Sequence, residues 1–204
     1  MRKIKLLTVL CALLVVSACG GVRNIDTTDE RQVARMQNVM ELEFRDWTAT
    51  AEYMTNGMVN SGAFARVQNP VIAMGPMIND TMQRFDTSIL TQKIRTTLVN
   101  SGKAQISVNF DGQDTTSDAM RAMRGNEEFD QATIAARGTL VAPNLSLSGR
   151  MIQRNLRLQG GWFGGATTRV EYYLQMTLTD LRTGLSVWEA TRPIIREGRH
   201  APTW

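Results

Sequence analysis

The chain has 204 residues, 43% of them hydrophobic and 21% charged, the make-up of a globular domain rather than a disordered chain. Its formal net charge of +4 falls to near neutrality once Arg2, Lys3 and Lys5 are set aside, which argues against a nucleic-acid partner, since that needs clustered cations. One histidine (His200) and two cysteines leave no material for a His-based triad, a Cys–His pair or a multi-histidine zinc site.

Arg2, Lys3 and Lys5 precede an apolar run, Leu6–Val16, broken only by Thr8. That run is far shorter than the roughly 20 residues a spanning helix needs, and its basic flank is that of a secretory signal peptide. Val16-Ser17-Ala18-Cys19 follows and resembles a bacterial lipobox, so residues 1–18 are expected to be cleaved and Cys19 to be acylated. Acyl chains contribute about 0.8 kcal/mol per buried methylene, enough for two or three of them to hold a protein on a bilayer. Gly20 rather than Asp follows the cysteine. By resemblance to Gram-negative lipoproteins, that implies the periplasmic face of the outer membrane. With Cys11 discarded and Cys19 acylated, no free thiol or disulfide remains in the folded part.

Residues 19–43 read as a lipidated N-terminus and tether, and 44–204 as a single globular domain. About 25 residues reach no more than ~85 Å fully extended and ~28 Å as flexible coil. Val33, Met36, Met40, Phe44 and Trp47 also recur at helical spacing, so the end of the tether and the front of a helix share one pattern.

Asp46 to about Ser61 is predicted helical, capped by Asp46, with Trp47, Ala51, Met54 and Met58 on one face and Gly62 ending it. Pro70–Met74 reads as a short buried strand stopped by Gly75-Pro76. Asn79-Asp80-Thr81 reads as a side-chain-to-backbone turn. A helix is predicted over Thr87–Ser101, with Asp86 or Thr87 as cap, Ile89, Leu90, Ile94 and Leu98 as its apolar stripe, and Gly102 as its left-handed end. Ala104–Phe110 alternates as a half-buried strand, and Thr115–Arg124 is a weaker, Met-rich helix.

The last third reads as β-structure. Leu145–Leu158 is a long strand whose alternation changes phase near Gln153–Leu156, predicting a bulge. In Val170–Asp180, Tyr172, Leu174, Met176 and Leu178 share one face, with Tyr173, Gln175, Thr177 and Thr179 on the other. A tight turn at Arg182-Thr183-Gly184 leads into a third strand, Leu185–Ile195. The expected fold is α/β, with helices packed on a mixed, mainly antiparallel sheet of four or more strands that ends in a β-meander.

Between two of those strands lies Gly160-Gly161-Trp162-Phe163-Gly164-Gly165. It lacks the Lys-Ser/Thr and following helix of a phosphate loop, and no other cofactor motif is present. Trp162 and Phe163 either fold back on the sheet or stand out as anchors for a partner. Arg150, Arg154, Arg157 and Arg169 flank the loop. They form either a solvated strand face or, with Arg154 and Arg157 foremost, a surface for an acidic partner. No acid pair, Glu127-Glu128 included, has the setting of a catalytic site, so the chain reads as a non-enzyme.

Asn69–Thr81, Asp86–Gly102 and Val170–Trp188, taken in order behind the lipobox, resemble the LpoB family. These are outer-membrane lipoproteins that activate class A penicillin-binding proteins in peptidoglycan synthesis. The resemblance implies a fold like the N-terminal domain of TolB. It also implies a monomer that docks on a periplasmic domain of a bifunctional synthase and favours its active state. The family's best-known members have a long, proline-rich tether, whereas no proline lies between Cys19 and Glu43 here. A second reading is a component of a secretion or surface-appendage assembly, since the related CsgG-type domains build oligomeric rings.

Overall fold

A computed structural model describes residues 41–108, 114–158 and 167–198, all within the second of two units into which the chain divides, Met40–Trp204. Leu42 is already part of the core at 3% exposure. Its N–H donates to Gln83 Oε1 and its carbonyl accepts from Gln83 Nε2, both at 2.8 Å, so one side chain across the fold satisfies both backbone groups.

Helix α1 spans Phe44–Asn60 and begins two residues before the expected start. Glu43 occupies the cap position, and Asp46, expected as cap, sits in the first turn and accepts from the Glu43 N–H at 3.0 Å. This is the returning half of a capping box. The same Asp46 Oδ2 accepts from Arg196 at the far end of the chain. Trp47, Ala51, Met54 and Met58 are buried as their spacing predicts, and Trp47 stacks on Phe85 with ring centroids 5.4 Å apart.

Strand β1, Val71–Asp80, runs straight through Gly75-Pro76, which was expected to stop it. Its register on the next strand slips between Met74 and Met77, so the dipeptide is absorbed as a bulge. At the end of β1, the Asn79 side chain accepts from the Thr81 N–H (3.2 Å) and hydroxyl (2.7 Å) and donates to the Gln83 carbonyl (2.9 Å), forming the expected side-chain turn. Helix α2 is Thr87–Ser101 as predicted, with Asp86 accepting from the Ser88 N–H and Gly102 at φ 64°. Leu90, Ile94 and Leu98 are buried, while Ile89, assigned to the same stripe, is 42% exposed. Strand β2 is only Gln105–Ser107, and Phe110 lies outside the described residues. Helix α3, Thr115–Ala122, buries none of its residues.

Strands β3 (Leu145–Leu158), β4 (Thr167–Asp180) and β5 (Ser186–Gly198) form the meander. The sheet order is β2-β1-β3-β4-β5, with β1 parallel to both its neighbours and β3, β4 and β5 successively antiparallel. The bulge expected near Gln153 is absent: β3 and β4 pair without a slip from Leu145↔Asp180 to Leu158↔Thr167. Gly184, at φ 72°, closes the β4–β5 turn as predicted.

Both long helices pack on one face of the sheet, over Ile72, Met74, Leu145, Leu147, Met151, Tyr172, Leu174, Met176 and Leu178. On that face β5 presents Arg192, whose guanidinium lies 3.6 Å from the Tyr53 ring centroid. Asn144 gathers the opposite end. Its side chain accepts from the Val71 N–H and donates to the Gln68 and Asn69 carbonyls, and its carbonyl accepts from the Leu181 N–H.

Gly149 is required by packing. A Cβ there would stand 2.6 Å from the Met77 sulfur and 2.8 Å from the Gln175 carbonyl oxygen. The thioether can swing away but the carbonyl belongs to the β4 backbone, so Gly149→Ala should destabilise the domain by roughly 1–3 kcal/mol. Urea unfolding would measure the loss, and an unchanged midpoint would contradict this packing.

Candidate partner-docking face

Among the described residues, no long helix packs on the sheet's second face. Connections between parallel strands are right-handed. β1–α2–β2 uses the helical face, so this rule puts the described part of the β2–β3 connection on the other one. Val71 and Ser107 lie on that other face and are 5% and 7% exposed, as such a cover requires. The cover serves the β2–β1 side. Farther across, Ile78 and Ile195 remain 44% and 55% exposed.

The unbroken β3–β4 register fixes what this open part presents. Asp80, Ile152, Tyr173 and Pro193 form one row across four strands. The next row is Arg154, Glu171 and Ile195. Glu171 is 8% exposed although no long helix among the described residues covers it, and it accepts a 2.6 Å hydrogen bond from the Tyr173 hydroxyl. That bond, reinforced by burial, raises the Tyr173 pKa and keeps the phenol a donor. Arg169 is committed to Glu197 through Nε (2.9 Å) and Nη2 (2.7 Å), which raises its own pKa. Arg150 reaches Asp80 only at 3.9 Å. Arg154 forms no ion pair with another described residue and is exposed. The face therefore offers a fixed polar pair, an exposed guanidinium that acts electrostatically on Tyr173 and flanking apolar side chains.

The structure separates two of the residues singled out from the sequence. Arg154 pairs with Glu171 on the open face. Arg157, three residues on, pairs with Thr168 on the opposite face, because alternation reverses at every odd spacing. Trp162, Phe163 and Cys19 lie outside the described residues. Glu171, Pro193 and Ile195 were not singled out; the alternation that put Tyr173 off the core was the signal available for Glu171. Among the described residues no three His, Cys, Asp or Glu are grouped to hold a metal, and no helix is long and apolar enough to cross a membrane. A groove of about 700 Å³ between α1 and α2, lined by Phe44, Thr48, Ile89 and Gln92 among others, is spanned by the Lys93–Glu52 ion pair at 2.8 Å.

The family model for the peptidoglycan-synthase activator LpoB matches residues 46–194, well over half of the chain. The chain belongs to the LpoB family. Solved structures similar to it include the LpoB C-terminal domain from Escherichia coli, at 17% identity and TM-score 0.43 over 73% of this chain and 98% of that one. The NMR structure of E. coli LpoB matches at 17% identity and TM-score 0.41, covering 90% and 86%. A lipoprotein from Neisseria meningitidis matches at 12% identity and TM-score 0.33, covering 66% and 88%. No curated protein matches the sequence.

Proposed function

We propose that this chain is a lipid-anchored, non-catalytic regulator at the periplasmic face of the outer membrane. It binds a periplasmic domain of a class A, bifunctional penicillin-binding protein and raises its rate of glycan-strand synthesis. Family membership over residues 46–194 carries the reading. The basic, apolar and small-residue order ending in Cys19 supports the anchor, and the open sheet face around Arg154 supplies the docking surface. Activation requires that this face bind the synthase's active state more tightly than its resting state; a tenfold rise in the active-to-resting ratio needs about 1.4 kcal/mol of differential affinity.

The test is glycan polymerisation by the organism's class A synthases with and without soluble residues 20–204. Several-fold stimulation of one synthase at stoichiometric protein is the expected result and names the partner. Failure to stimulate or co-purify with any of them would leave the family's fold without its function.

A further inference from the structure

Met82 follows the Asn79–Thr81 turn and is 66% exposed, whereas Met54, Met58, Met74, Met77, Met151 and Met176 are all buried. It stands in a closed ring of hydrogen bonds to β3. Its N–H donates to Gln153 Oε1 (2.9 Å), Gln153 Nε2 donates to Asn155 Oδ1 (2.8 Å), and Asn155 Nδ2 points at the Met82 sulfur (3.5 Å). The last link is the weak one, because a thioether is a poor acceptor.

We propose that Met82 is an oxidation site whose product is received by Asn155, so that oxidation fastens the turn to β3. The oxidant is a peroxide: the sulfur lone pair attacks one peroxide oxygen, the O–O bond breaks and an S–O bond forms. The thioether loses two electrons, and hydrogen peroxide is reduced to water. Oxidising a core methionine places a polar sulfoxide in apolar surroundings and loosens the fold. Met82 is largely solvated, so no such cost arises. Its rotatable thioether end lets the new oxygen turn to the Asn155 amide, and a sulfoxide oxygen is a far better acceptor than sulfur. The adjacent Gln83 holds Leu42 by both backbone groups, so the fastened turn is the one that secures the start of the folded domain.

The full chain in detergent, treated with graded hydrogen peroxide and mapped by fragment-ion mass spectrometry, should convert Met82 before Met120, which is 43% exposed. In the oxidised protein the Met82 amide should exchange with solvent about fivefold more slowly, the scale of one strengthened hydrogen bond. Asn155→Asp keeps the acceptor for Gln153 but loses the donor, and should show the same oxidation with no slowing. Conversion of Met120 ahead of Met82, faster exchange after oxidation, or equal slowing in Asn155→Asp would each overturn the proposal.

Discussion

Arg154→Glu is expected to reduce synthase stimulation by at least tenfold while lowering the unfolding midpoint by no more than a few degrees. The side chain is exposed, and a Glu there stands directly across from Glu171, a like-charge pair that costs about 0.2–1 kcal/mol. On docking, the guanidinium would be desolvated against the partner. Truncating or reversing one member of a desolvated charge pair costs on the order of 2–5 kcal/mol of binding, which sets the tenfold floor. Arg157→Glu is the internal control: it makes the same charge change on the same strand but on the other face, and should leave stimulation within about twofold, as for a non-interface charge. Equal losses from the two variants would sink the assignment of the open face. Arg154→Lys should recover part of the activity and make it more salt-sensitive, since lysine retains the charge without the planar fork.

Asp46→Ala should cost about 2–3 kcal/mol of unfolding free energy, combining a lost first-turn acceptor with a half-buried Arg196 deprived of its hydrogen-bonded carboxylate. Asp46 and Arg196 side chains are 21% and 18% exposed, which limits solvent screening of the pair. Asp46→Asn preserves an acceptor for the Glu43 N–H and should cost about half as much. A double-mutant cycle with Arg196→Met, read by urea unfolding, should give a coupling of at least ~1 kcal/mol; strict additivity would mean that the ion pair contributes nothing. The neighbouring Glu43 modulates this corner with pH. Burial and then Asp46 raise its pKa above the ordinary carboxylate value. The folded state therefore binds its proton more readily than the unfolded chain does, and Glu43's contribution favours folding increasingly as pH falls through its folded pKa. Loss of Asp46 removes one of the two causes and should flatten that dependence.

Sequence pattern carried the parts of this fold whose causes are local. Helix α2 was legible because cap, stripe and terminating glycine all lie within the segment itself. The core face of β4 was legible because four alternate large side chains are all buried. Elsewhere the deciding contact was distant. Gly75-Pro76 reads as a stop until β3 is known to pair on either side of it. The phase change at Gln153–Leu156 reads as a bulge, yet the ladder continues; alternation blurs there because Gln153, Asn155 and Arg157 stand on the helical face without being buried. Asp46 reads as a helix-start residue, yet it serves the cap from inside the first turn while Glu43 holds the cap position itself. The open face was half legible: arginines stand out in the sequence, but which of them share a side depends on an unbroken register that composition does not reveal.

The topology also sets an order of assembly. β3, β4 and β5 are consecutive and pair antiparallel, so each contact closes a short loop. Joining β1 to β3 closes a far longer one, with Val71 and the Asn144 side chain 73 residues apart. Loop-closure entropy rises with that separation and must be met before parallel pairing brings any return. The meander is thus expected to nucleate, and β1 to dock onto it late, when the Met77 side chain must find the space that Gly149 leaves open.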